Sequence, residues 1–217
     1  MIDLKGLLGQ VSQQVKNNPN LGGGLAGGLA GGLIAGLMSS KGARNIAGNA
    51  LTYGGLAALG GLAYKAWQNY QQGVSPTAGG EIVPPAPDSG FLPRADDTAA
   101  QTALGVLLLR AMIAAAKSDG QIDTAENQRI FDEINRLALA PQEKGLLLEE
   151  YARPTNLDAL VAAVVSPQQA SEVYAASALI IGEATPAEQR YLDDLALRLR
   201  LDPGLTQQLQ ALVKQAR

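Results

Sequence analysis

The twenty residues from Leu21 to Ser40, LGGGLAGGLAGGLIAGLMSS, carry no charge and repeat every four positions. Leu21, Leu25, Leu29, Leu33 and Leu37 share one i+4 series, and Gly24, Gly28, Gly32 and Gly36 share a second. Wound into a helix, the two series form adjacent stripes, one bulky and one of nearly bare backbone. Tandem GxxxG spacing of this kind lets a second helix approach closely, and in lipid such close packing replaces the missing hydrophobic drive. In water the same glycines would each cost about 1 kcal/mol of helix stability and leave a flexible arm. Polar residues normally fill flexible arms, whereas here a leucine returns at every fourth place.

A second uncharged run, Ile46 to Tyr64, has small residues at Ala50, Gly54 and Ala58 and is long enough to cross a hydrocarbon layer of roughly 30 Å. It closes on YKAWQNY, whose Tyr64, Lys65, Trp67 and Tyr70 set aromatic rings beside a cation, the pattern of a helix leaving a bilayer. These features resemble the glycine-zipper segments of bacterial membrane proteins. Two topologies fit. Residues 21–40 and 46–64 form a hairpin with Lys41 and Arg44 at its tip, or 46–64 spans alone while 21–40 lies against it. Lys and Arg on both sides leave the orientation undetermined. Ahead of these runs, residues 1–20 place Leu4, Leu7, Leu8, Val11 and Val15 on one side of a short amphipathic helix, with no h-region or cleavage site of a secretory signal.

Charge divides the chain. Residues 1–70 hold five basic side chains and one acid, while residues 71–217 hold twelve basic and nineteen acidic, within an overall net charge of −3. An acidic globular part lacks the clustered Lys and Arg that phosphate backbones require, so nucleic acid is not an expected partner. The chain has no Cys and no His, which removes thiolate nucleophiles, imidazole bases and zinc sites built on them. Any bound metal would be a hard cation held by oxygen. No Gly-x-Ser-x-Gly and no phosphate-binding Gly-Lys-Ser/Thr loop occurs, and the paired acids Asp132/Glu133, Glu149/Glu150 and Asp193/Asp194 diverge around a helix, so no catalytic residues are expected.

Residues 71–97, with Pro76, Pro84, Pro85, Pro87 and Pro93, read as an extended tether. Beyond it, residues 98–217 form an all-α domain. Helices are expected near 98–118, 124–139, 141–152, 156–165, 167–181, 186–201 and 203–216. Ser166-Pro167-Gln168-Gln169 and Thr185-Pro186-Ala187-Glu188 read as capping boxes, and Asp202-Pro203 as a further N-cap before proline. The first helix is apolar from Leu104 to Ala116 except for Arg110, which marks it as the buried centre. A shift of 62 residues superposes Gly120 on Gly182, Glu126 on Glu188, Asp132 on Asp194 and Pro141 on Pro203, so the domain reads as an internal duplication.

The turn between the first two helices, KSDGQIDTAE, matches the second half of a calcium loop. With Gly120 at the sixth place, Ile122, Asp123 and Glu126 fall at the eighth, ninth and twelfth, but Ala115 and Lys117 occupy the first and third, where calcium needs carboxylates. A standard EF-hand is therefore rejected. The simpler reading is punctuation: Gly120 ends one helix in the left-handed C′ position, Asp123 caps the next, and Glu126 closes a capping box.

AAAKSDGQIDTAENQRIFDEI, with its Leu-x-Leu-x-Pro close, resembles the opening of the tellurite-resistance TerB-like helical domain, and the whole layout is similar to the uncharacterised YebE-type bacterial inner-membrane proteins. The resemblance implies an all-helical domain found in stress-response proteins, with acidic residues proposed to bind metal. On this chain these are Asp119, Asp123 and Glu126. The second repeat offers only Glu183 and Glu188 there, so a paired site is not expected. The favoured expectation is a non-enzymatic interaction module of the bacterial inner membrane that needs no cofactor. Its anchor packs through Gly24, Gly28, Gly32, Gly36 and Gly54, and its helical domain meets a protein partner or another copy. The alternatives are a sensor of a divalent cation such as calcium, and a soluble self-associating protein.

Overall fold

A computed structural model describes residues 55–76, 82–85, 89–94, 96–120, 141–181 and 183–216. Among them every regular element is a helix: α1 (Gly55–Gln71), α2 (Thr98–Ala116), α3 (Pro141–Ala152), α4 (Leu157–Ala162), α5 (Pro167–Ile181), α6 (Pro186–Arg198) and α7 (Pro203–Gln215). The described part of the chain is all-α, in keeping with its periodicity. Residues 1–54, which hold the expected amphipathic helix and Gly24, Gly28, Gly32, Gly36 and Gly54, lie outside the described residues, as does the helix expected at 124–139.

Local chemistry sets the helix starts. Thr185 Oγ1 accepts from the Glu188 N–H while Glu188 returns a carboxylate oxygen to the Thr185 N–H, a complete capping box before α6. Asp202 caps α7 through the Gly204 N–H at 2.7 Å. The box expected before α5 is offset. Ser166 Oγ accepts from the Gln169 N–H, but Gln169 Oε1 accepts from Val165 rather than from Ser166, both at 3.1 Å. Helix α4 is shorter than the expected 156–165, because Ala163 and Val164 turn their N–H groups to carbonyls three residues back and tighten the chain out of the α geometry. Helices α3 and α7 begin at Pro141 and Pro203, in register with the 62-residue repeat.

The most enclosed element is α5, with every residue from Ala170 to Leu179 buried. Its run of Ala175, Ala176, Ser177 and Ala178 keeps its surface narrow, so α2 packs on one side and α1 and α7 on the other. The expectation that the first helix of the domain is central thus holds for α2, whose Leu108, Leu109 and Ala111 are inaccessible, but α5 shares that position.

The largest departure from the sequence reading concerns residues 55–97. Helix α1, expected within a membrane segment at 21–70, lies against α5 and α7 and seats Leu59, Leu62, Ala63 and Ala66 in the common core. Tyr64 and Trp67, expected at a bilayer surface, meet the buried Phe91 edge-on at 5.5 and 5.9 Å between ring centroids. Phe91 is 2% exposed and belongs to the segment expected to be a free tether. The described parts of 72–94 instead form a strap over the bundle, with Ile82 and Leu92 also packed against the core.

Gly73, at φ 63°, ends α1 with a Schellman pair, Gly73 N–H to Tyr70 O at 3.1 Å and Val74 N–H to Asn69 O at 2.9 Å. Gln208 Nε2 then holds Val74 O at 2.5 Å and ties the strap to α7. Gly61 has a specific reason to be glycine, since a Cβ there would stand 2.5 Å from the Val83 carbonyl oxygen of the strap.

One described helix is long and apolar enough to cross a membrane by length and composition: α2, over Ala99–Ala116. More than half of that window is buried within the bundle, which is the ordinary condition of a core helix.

Candidate functional site

Of the three acidic residues implicated by the loop motif, only Asp119 is described; Asp123 and Glu126 lie outside the described residues. Helix α2 ends at Ala116, two residues earlier than expected, and Ser118 folds back so that its N–H and hydroxyl both reach Ala115 O. Gly120 takes the expected left-handed conformation, φ 70°, but closes a turn onto Lys117 O rather than standing at the C′ position of α2. Asp119 is exposed at this corner.

Lys117, whose charge occupies the third place of the would-be calcium loop, has a structural task. Its ammonium donates to Tyr151 O at 3.0 Å and Arg153 O at 2.8 Å, and stands 5.5 Å above the Tyr151 ring. It thereby satisfies carbonyls at the C-terminal end of α3, where the helix dipole favours a cation. The side chain at the third place of that loop therefore caps a neighbouring helix.

About two turns before this corner, Arg110 crosses to α3 and grips Glu150 with two parallel bonds of 2.8 Å. Arg153 adds a third at 2.8 Å and holds Glu149 at 2.6 Å. The Glu150 side chain is 5% exposed, while those of Arg110 and Arg153 are 42% and 51% exposed, so a buried carboxylate sits under two half-solvated guanidinium groups. The bond from Arg110 holds the Glu150 carboxyl below its usual range, against the opposing pull of burial. A cavity of about 200 Å³ opens beside them, bordered by Ile113, Asn156 and Leu160. Of the groups that line it, Asn156 caps α4 through the Ala159 N–H, and both arginines are engaged by carboxylates. The cluster clamps α2 to α3.

Sequence reasoning did not single out Glu172. It is the only charged residue in α5, it is 0% exposed, and neither carboxylate oxygen has a hydrogen-bond partner among the described residues. Burial alone pushes its carboxyl well above the ordinary range. Its place is the seat of α1: a Cβ built on Gly60 would stand 3.2 Å from Glu172 Oε1 and 3.1 Å from two atoms of Leu92 in the strap. The signal in the sequence was one acid inside PQQASEVYAASALII, a helix otherwise without charge.

Searches of the curated proteins and of the solved structures find no match to this chain. A family pattern does match, over residues 23–213, and so takes in the glycine-rich run, the strap and the bundle together. The chain belongs to the family described as "Protein of unknown function (DUF533)".

Proposed function

We propose that the protein is a non-enzymatic helical interaction module held at the bacterial inner membrane, as the YebE-type layout implies. Its uncharged N-terminal run is the anchor, and its acidic helical bundle faces a protein partner. The observation that carries this reading is the seating of α1. Because residues 55–71 are core, the bundle begins at α1, before the tether expected at 71–97 and fifteen positions after Ser40. With α1 seated, the uninterrupted uncharged stretch left for lipid is Leu21–Ser40, twenty residues flanked by Lys16 and Lys41. At 1.5 Å per residue, a helix of that length matches a hydrocarbon layer of roughly 30 Å. Its glycine stripe would then serve helix packing in lipid.

Carbonate extraction tests the anchor. Full-length chain in a membrane fraction is expected to stay with the pellet, and a fragment of residues 50–217 to be released. Full-length chain that washes off with the fragment would contradict an integral anchor. A cation-sensing role for Asp119, Asp123 and Glu126 is the lesser reading, given the task of Lys117; amide shifts on calcium addition to the 50–217 fragment would revive it.

A further inference from the structure

Among the described residues, the buried side-chain atoms without a hydrogen-bond partner are Asn69 Nδ2, Ser89 Oγ, both oxygens of Glu172 and Gln208 Oε1. Asn69 is on α1, Ser89 is in the strap, Gln208 binds the strap at Val74, and Glu172 abuts Gly60 of α1. Buried polar groups are normally paired, and each exception calls for a reason. An unpaired acid set against α1, with further unpaired groups on α1 and on the strap, makes this the joint with the least polar satisfaction and so the one that opens first.

Glu172 is the ionisable member. The titratable and charged groups on the elements around it include Tyr64 and Lys65 on α1, Arg94 in the strap, Arg110 on α2 and Lys214 on α7. On α6, Tyr191 is directed to Ser177, while Asp193 and Asp194 are taken by Gln189 and Arg198. None of them bonds to the Glu172 carboxyl. A charge formed there would be buried beside Gly60 with no bonded counter-ion among the described residues, which low-dielectric surroundings strongly disfavour.

We infer that Glu172 is an acid latch: in its neutral form it seats α1 and the strap on the bundle, and in its charged form it releases them. The sign follows from burial. The seated state favours the neutral acid, so seating is strongest below the ordinary carboxylate range and weakens as pH rises from there through the carboxyl's own elevated value. The seating equilibrium falls by up to about tenfold per pH unit across that interval. A released α1 restores the full uncharged run 46–64, long enough for a second span, so that the anchor changes from one crossing to a hairpin. This destination rests on the membrane reading; the latch itself does not.

The test uses full-length chain in phosphatidylethanolamine and phosphatidylglycerol vesicles, part of them carrying brominated acyl chains, between about pH 5 and about pH 9. Amide exchange, corrected for its intrinsic pH dependence, is followed at 55–71 with 98–116 as internal reference. In the wild type, protection of 55–71 is expected to fall relative to 98–116 by up to about tenfold per pH unit. In Glu172→Gln it is expected to stay flat, and Glu172→Met supplies the same reading if the amide misfolds. Protection that is independent of pH in the wild type, or that falls equally in both variants, overturns the latch. Trp67, the only tryptophan in the chain, reports where α1 goes. Quenching by brominated lipid that rises with pH supports entry into lipid. Loss of protection without quenching supports the latch and removes the membrane destination.

Discussion

Helix α5 is covered on two sides, and the two coverings treat buried polar groups in opposite ways. Toward α2 and α3 they are partnered: Ser177 Oγ donates to Ala111 O at 3.3 Å, Glu150 lies under Arg110 and Arg153, and Lys117 caps α3. Toward α1 and the strap, Glu172, Asn69, Ser89 and Gln208 each leave an atom unsatisfied. Both coverings bury large apolar side chains, so burial does not separate them. Polar satisfaction does, and because an unmade buried hydrogen bond costs more than a made one contributes, the α1 side is the weaker joint.

The sharpest way to break this comparison is to remove the weaker side. A fragment of residues 95–217, which a tether at 71–97 would make self-sufficient, loses Leu59, Leu62 and Phe91 from the core. Each such loss costs about 2–5 kcal/mol in an intact core, while the packing of α2 on α5 remains. The fragment is expected to melt well below residues 50–217 by circular dichroism yet to keep its helices at low temperature, since α2 on α5 must outlast the release of α1. An unchanged midpoint in the shorter fragment would make α1 an accessory to the fold.

On the partnered side, Glu150→Ala leaves two guanidinium groups facing each other without their shared carboxylate. A cost of about 3 kcal/mol is expected, at the low end for a broken buried pair because both arginines are half in water. The wild-type cluster also has a defined acid response. Since Arg110 lowers the Glu150 carboxyl in the fold, its stabilisation is present above the ordinary carboxylate value and is lost as pH falls through the lowered one. Urea midpoints taken down the acid range should converge for wild type and variant.

The two sides were unequally legible in the sequence, for a physical reason. Caps at Thr185 and Asp202, and the paired starts at Pro141 and Pro203, are local chemistry, and the helices begin where those residues place them. The apolar run around Arg110 marked α2 as buried, but the partner of that lone charge, forty residues on, was not legible. The destination of α1 is not local. Leu56, Leu59, Leu62 and Ala63 present a surface that fits a lipid chain as well as α5, and what decides is Phe91, a lone aromatic among prolines far along the strap. Glu172 was not singled out, because its lack of a bonding group among the described residues is visible only once the fold surrounds it.

Glu172→Met carries the comparison to the α1 side with the sign reversed. Replacing a buried, unpaired carboxyl by an apolar chain of similar length should stabilise the 50–217 fragment by about 2 kcal/mol at neutral pH. Because the folded carboxyl is raised, the difference should shrink as pH falls toward the ordinary carboxylate value, where seated and released forms are both neutral. Chemical denaturation at two pH values measures it. A destabilising effect at both would mean that Glu172 has a favourable partner after all.

The smallest effect is the most discriminating, because one substitution can be made on each side. Ser177→Ala removes a hydroxyl that donates to Ala111 O across the α2 interface, and a net loss of about 1 kcal/mol is expected. Ser89→Ala removes a buried hydroxyl oxygen with no partner among the described residues, and a gain of up to about 1 kcal/mol is expected. The change deletes the same atom in both proteins, so side-chain entropy and lost contact area nearly cancel between them. Opposite signs in matched denaturation curves would show that hydrogen-bond satisfaction distinguishes the two faces of α5. Equal losses would show that Ser89 has a partner, and would weaken the case for a joint built to open.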